Sequence, residues 1–275
     1  MSDHSGLIDL GLAGQRGLVA GAGYRRTRAG HGRLTSLRLA EAGVALALVD
    51  LDEERLTEIV KEVEGAGGTA VPILADMTVA SEAQRAVDEA VAALGGLDLC
   101  VNIIGGGKWN KLVDFTDEDW QWSLDNNITN VFYLYRAVAR QMIEQGTGGS
   151  LVAIASVDGR HSSSFHSAYG VAKAGVISLT WTAAEELGPH GIRVNAVAPG
   201  SVGNGNYDQP EDQFGYDGVS PLAAPRAIDI ANTILFLSSP LAGRITGQTI
   251  LVEGGATFKS PWGTTEEALD FLKTF

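Results

Sequence analysis

The sequence predicts a doubly wound α/β fold: a single domain over residues 1–275, with a seven-stranded parallel sheet and helices on both faces. Three observations carry this expectation. Short apolar runs alternate with longer stretches of helical period, and a β-α-β-α order calls for right-handed crossovers and a parallel sheet. Most of the short runs are apolar throughout rather than alternating, as strands covered on both faces are. Glycine is abundant, 35 of 275 residues against an average of about 7%, and it permits tight turns between elements.

The first predicted strand, 17–20, runs into a glycine-rich turn before a helix over 34–42. Strand 44–49 is Val-Ala-Leu-Ala-Leu-Val and stops at Asp50, ahead of a helix over 53–63. Strand 70–75 stops in the same way at Asp76, ahead of a helix over 81–94. Strand 97–103 leads through Gly105-Gly-Gly-Lys-Trp109 to a long helix over 118–144, which Thr116 and Asp119 open as a helix-start pair. Strand 150–155 stops at Ser156, and a helix over 168–187 follows. Strand 192–197, a helix over 228–237 and strand 249–252 complete the order. Two stretches break it. Residues 201–226 are rich in Gly, Asp, Asn and Pro and too long for an ordinary loop, so they form either a substrate lid, the reading adopted, or a disordered segment. Residues 259–275 form a tail after the last strand.

The charge excludes several partners. With 20 basic and 33 acidic residues the chain carries −13, which repels nucleic-acid backbones and anionic lipid. The single cysteine, Cys100, excludes an internal disulfide. No His/Asp/Glu cluster has metal-ligand spacing, so no metal is expected. The opening residues lack the basic and apolar regions of a signal peptide, and no run of ~18 apolar residues exists. A cytoplasmic protein is expected.

The first turn reads as a dinucleotide site. Gly21 and Gly23 end the first strand, and Gly30-His31-Gly32 precedes the first helix. Glycines there let the backbone approach a pyrophosphate, and the helix N-terminus offers free N–H groups. Six residues, 24–29, separate the two glycine clusters, more than the usual fingerprint allows. Asp50, at the end of the second strand, is placed to accept hydrogen bonds from ribose hydroxyls. Such a carboxylate favours NAD over NADP, while Arg25, Arg26 and Arg28 in the insertion keep NADP open.

Tyr169 and Lys173 lie four apart, on one face of a helix. An ammonium beside a phenol favours the phenolate, which lets the tyrosine exchange a proton near neutral pH. Ser156 offers a hydroxyl to hold a carbonyl or alcohol oxygen. His161 and His166 fall between Ser156 and Tyr169, near the cleft, but neither is needed as a base. Trp109 stands either as a pocket wall or as a loop anchor.

With these residues in place, the chain resembles the short-chain dehydrogenase/reductase family over roughly residues 12–256. The resemblance rests on Val19-Ala-Gly-Ala-Gly23 with Gly30-His-Gly32, Asp50, Asp76-Met-Thr78, Asn102-Ile-Ile-Gly105 and Asn126-Asn-Ile-Thr129. It continues through Ser156, Tyr169-Gly-Val-Ala-Lys173, Asn195-Ala-Val-Ala-Pro-Gly200 and Ile245-Thr-Gly-Gln-Thr249. It implies a Rossmann-type fold and an NAD(P)-dependent oxidoreductase, usually a homodimer or homotetramer. Tyr169 then matches the general acid/base, Lys173 lowers its pKa and binds the nicotinamide ribose, and Ser156 holds the substrate oxygen. Asn127 matches the asparagine whose kinked helix holds a water linking Lys173 to solvent. Asp76 and Met77 would face the adenine. Asn102 to Gly105 would line the ribose side, and Pro199, Gly200 and Val202 would touch the nicotinamide. Asn204 stands where a threonine often binds the carboxamide, Ala20 where the first motif usually has Thr, and Ile103-Ile104 where Asn-Ala is usual.

The expected reaction is hydride transfer between NAD(H) and a small secondary alcohol or ketone. The alternatives are an NADP-dependent carbonyl reductase and a non-catalytic nucleotide-sensing protein on the same fold. The lid's acids, Asp208, Glu211, Asp212 and Asp217, disfavour multiply anionic substrates, while Tyr207, Phe214 and Tyr216 suit an apolar face. The lid is expected to be mobile when empty and to order over ligand.

Overall fold

The computed structural model describes residues 9–23, 30–202, 220–258, 270 and 273–274. The insertion 24–29, Asn204, most of the expected lid and nearly all of the tail lie outside the described residues. Seven strands appear where seven apolar runs predict them: β1 (Arg16–Ala20), β2 (Ala45–Asp50), β3 (Thr69–Leu74), β4 (Leu99–Asn102), β5 (Gly149–Ile154), β6 (Ile192–Pro199) and β7 (Thr249–Val252). They pair in parallel throughout, in the order β3-β2-β1-β4-β5-β6-β7.

Alternate residues of each central strand feed two cores. Val19, Leu46, Leu48, Val101 and Val152 point to one face, where α1 (His31–Glu41), α2 (Glu53–Gly65) and α7 (Ala227–Ser238) pack. Leu18, Ala47, Val49, Cys100 and Leu151 point to the other, against α3 (Ala80–Leu94), α5 (Asn130–Gln145) and α6 (Ser167–Leu187). Burial on both faces explains why these strands read as unbroken apolar runs.

The predicted helix over 118–144 is not uniform. It consists of α4 (Asp117–Leu124), a π-helical turn over Asp125–Thr129, and α5. The Asn130 N–H reaches back five residues to the Asp125 carbonyl. Periodicity shows the apolar stripe of such a segment but not one residue too many in a turn. The start was legible: Thr116 Oγ1 accepts from the Asp119 N–H at 3.1 Å.

The chain leaves β1 for β2 and β3, then returns past β1 to β4. The crossovers diverge at that point, and a crevice opens at the carboxyl ends of β1 and β4, the place where open α/β sheets bind ligands. No helix among the described residues is long and apolar enough to cross a membrane.

Candidate active site

The crevice widens into a cavity of about 860 Å3. Its floor begins with Gly21, at φ 80°, whose N–H donates to the Val49 carbonyl at 2.8 Å. Gly32, in the first turn of α1, is the tightest point. A Cβ there would lie 1.9 Å from the Gly21 carbonyl oxygen, so α1 reaches β1 only because this residue lacks one. Gly23, Gly30 and His31 line the same end of the cavity. His31 Nε2 is buried with no hydrogen-bond partner. Burial, with help from the charge of Lys173, lowers the imidazole pKa to about 4, so the ring is neutral. A backbone cradle that a Cβ would fill, donors at a helix end and an unpartnered ring nitrogen together fit a dinucleotide phosphate.

Asp50 lines the cavity at the end of β2. Its Oδ2 accepts from the Gly23 N–H at 2.9 Å and its Oδ1 from the Asp52 N–H at 3.1 Å. Asp52 caps α2 and holds the Arg55 guanidinium at 2.8 Å. Asp76 follows β3, and its Oδ1 accepts from the Thr78 N–H at 2.9 Å and the Thr78 hydroxyl at 2.7 Å. Met77 and Thr78 also line this wall, and Pro199, Gly200 and Val202, at the end of β6 and just past it, line the far one.

Two asparagines sit behind the wall rather than on it. Asn102 is fully buried; its amide donates to Asn130 Oδ1 at 2.9 Å and its Oδ1 accepts from the Ile104 N–H at 3.0 Å. The side chain expected along the ribose is thus a brace for the turn after β4, and Ile103, Ile104 and Gly105 form the surface. Asn127, in the π turn, accepts from the Gly106 N–H at 3.1 Å and donates to the Gly106 carbonyl at 2.7 Å. Gly105 allows the convergence: a Cβ there would lie 2.9 Å from Asn127 Oδ1 and 3.2 Å from Lys173 Nζ.

Ser156, Tyr169 and Lys173 meet at the end of β5, all on the cavity. The Asp158 N–H donates to Ser156 Oγ at 3.2 Å, which fixes the serine at the head of a single 3-10 turn. Lys173 is buried and donates from Nζ to the Ile154 carbonyl at 2.7 Å, with Nζ 5.6 Å from the centre of the Tyr169 ring. The electrostatics correct one expectation. Tyr169 is not drawn below its ordinary pKa here: burial raises it, its hydrogen bond with Ser156 opposes that, and the charge of Asp158 raises it further. Burial also lowers the Lys173 pKa to about 7, which weakens the cation that was expected to dominate.

Known proteins resemble this chain over most of its length. A family model described as enoyl-(acyl carrier protein) reductase matches residues 26–257. A short-chain dehydrogenase/reductase of Armillaria gallica is 36% identical over 259 residues, 89% of this chain and 97% of the relative. The chain belongs to the short-chain dehydrogenase/reductase family. The L-2,3-butanediol dehydrogenase of Corynebacterium glutamicum is 34% identical, covering 83% of this chain and 95% of its own. The crystal structure of an NAD+-bound xylitol dehydrogenase superposes with a TM-score of 0.80 at 31% identity, over 89% of this chain and 99% of that one. As a short-chain dehydrogenase/reductase, the chain is an NAD(P)-dependent oxidoreductase acting on CH–OH groups.

The cavity also holds residues that the sequence reading passed over as site residues: Arg55, Trp122 and Asn126. Arg55 is three residues past the α2 cap, so its position after Asp50 was a usable signal.

Proposed function

We propose that this chain moves a hydride between NAD(H) and a neutral secondary alcohol or the matching ketone, with Tyr169 as the general acid/base. The observation that carries the proposal is the convergence of Ser156, Tyr169 and Lys173 on the cavity that also contains the glycine cradle. Bound NAD(H) supplies the hydride acceptor or donor. In oxidation the Tyr169 phenolate takes the hydroxyl proton, and in reduction the phenol returns it to the carbonyl oxygen. Ser156 orients that oxygen. Lys173, tied to the Ile154 carbonyl, fixes its amino group 5.6 Å from the centre of the phenol ring. Asn127 holds the Gly106 loop over the lysine, in keeping with a water relay at that point.

Asp50 supports NAD, since a 2′-phosphate beside it meets a carboxylate, at roughly 1–4 kcal/mol for unit charges ~4 Å apart. Arg55 is the specific observation for NADP, because it lines the same cavity; the pairing of its guanidinium with Asp52 offsets that charge. A homodimer or homotetramer is supported by apolar side chains left exposed on helices, among them Trp120, Phe132, Ile143 and Trp181. The cytoplasm suits a chain whose one cysteine, Cys100, is a free thiol. Incubation with each cofactor and a panel of secondary alcohols, followed by cofactor fluorescence, tests the reading. Binding of cofactor without turnover across the panel would overturn the secondary-alcohol assignment.

A further inference from the structure

Trp109 has an unusual setting for a side chain that is 54% exposed. It lines the cavity, and its indole folds back on its own loop: a Cβ on Gly107 would lie 2.0 Å from the ring. The His166 ring stacks on it with centroids 4.0 Å apart and planes 33° apart. Tyr169 meets it edge-on at 5.3 Å. His166 is itself held, its Nδ1 2.6 Å from Asp158 Oδ2, while the Ser163 hydroxyl donates to Asp158 Oδ1 at 2.5 Å. The two loops are also stitched by the Asn110 N–H, which donates to the carbonyl of Phe165 at 3.2 Å, and Phe165 sits at φ 71°. A non-glycine residue in that region costs energy, so the contacts around it must determine its conformation.

A surface tryptophan with no task has no need of a glycine beneath it, a stacked ring beside it and a carboxylate anchoring that ring. We propose that Trp109, immobilised by Gly107 and the Asp158–His166 pair, is the specificity-determining wall beside Tyr169, and that it selects cyclic, carbon-rich secondary alcohols and ketones over open-chain ones. The proposal rests on the oxidoreductase reading above and adds the substrate class. A rigid indole face gains most from a ligand that is rigid too, because a flexible chain must freeze its rotors to lie along it. Trp122 lines the same cavity and adds a second indole. The compounds for which two relatives are named, a butanediol and xylitol, are open-chain, so the choice separates this chain from those relatives.

The test compares ligands with equal carbon number. Binding of cyclohexanone and 2-hexanone to the full chain saturated with NAD+ is measured by calorimetry, which requires no turnover. kcat and KM for cyclohexanol and 2-hexanol are measured in parallel. The ring is expected to be favoured by about tenfold or more, within the range a shaped apolar pocket supplies. Trp109→Ala should bring that ratio near one with the NAD+ affinity retained, and Trp109→Phe should keep most of it. His166 is a positioning residue here. His166→Ala should raise KM for the cyclic alcohol more than for the open-chain one, and His166→Phe, which keeps the stack, should restore part of the difference. Equal binding of the two ketones, or a preference unchanged in Trp109→Ala, overturns the proposal. Ring preference that depends on Trp109, without turnover of either alcohol, would sustain the wall and sink the NAD(H)-linked secondary-alcohol reading.

Discussion

Lys173 heads the fully buried side chains by volume, ahead of any leucine in the core. Burial lowers its pKa to about 7 from an ordinary 10.5, so between those values the unfolded chain holds a proton that the folded chain has released. Stability therefore rises as pH increases through that window, and the cost is fully present below it. Lys173→Met should remove the cost and the slope, stabilising the fold by roughly 2–4 kcal/mol near neutral pH while abolishing turnover. Denaturant titrations at several pH values check it; a destabilised variant would show that the bond to the Ile154 carbonyl outweighs the buried charge. Tyr169→Phe should lower kcat by ~10²–10⁴-fold and leave the dinucleotide Kd nearly unchanged, because the ring is preserved and only the proton transfer is lost. Asp158 bears on the same phenol. Its charge raises the Tyr169 pKa, in an environment shared with Ser156, Lys173 and the His166 ring. Oxidation needs the phenolate, so Asp158→Asn should move the rising limb of the pH–rate profile to lower pH. An unmoved limb would place the rate-limiting ionisation elsewhere.

The elements were legible in proportion to how locally they are specified. Seven apolar runs gave seven strands, and Thr116 gave the start of α4, because two-sided burial and a capping hydroxyl act over a few residues. The π turn was not legible as an element. Asn127 within it and Asn130 just after it bond across the chain, to the Gly106 loop and to Asn102, and no periodicity encodes a partner 21 or 28 residues away. The same distance effect misplaced Asn102, which reads as a cofactor contact in the sequence and is a brace in the fold. The glycine turn is the clearest element-scale prediction. Gly32→Ala puts a Cβ 1.9 Å from the Gly21 carbonyl, where backbone rather than a yielding side chain stands in the way. It should push α1 off β1, weakening dinucleotide binding at least tenfold, while Gly65→Ala, with nothing within 4 Å and a helical position, should be neutral or slightly stabilising. Equal effects of the two substitutions would mean that the close approach of α1 is not what forms the cradle.

At the scale of the molecule, the cavity joins contributions from both ends of the chain. Gly21 and His31 come from the first crossover, Asp50 and Asp76 from the next two, and Tyr169, Lys173 and Gly200 from beyond β5. A ligand that spans these walls binds the folded state alone and must stabilise the whole sheet, by about 2.7 kcal/mol at a hundredfold excess over Kd. For a chain of this size that corresponds to a rise in Tm of ~5–10 °C. On the proposed reading, the charge at the end of β2 sets the choice between cofactors. Asp50 accepts from two backbone N–H groups, Gly23 and Asp52, which fixes its carboxylate where it lines the cavity, whereas Arg55 is already paired with Asp52. NAD(H) should accordingly raise Tm more than NADP(H) at equal concentration. Asp50→Asn keeps the shape and an acceptor but removes the charge, so it should narrow the difference mainly by improving NADP(H). Added salt should narrow it too, in proportion to how far solvent reaches the carboxylate. A larger rise with NADP(H) in the unmodified chain would show that Arg55 dominates the site and would reverse the cofactor assignment.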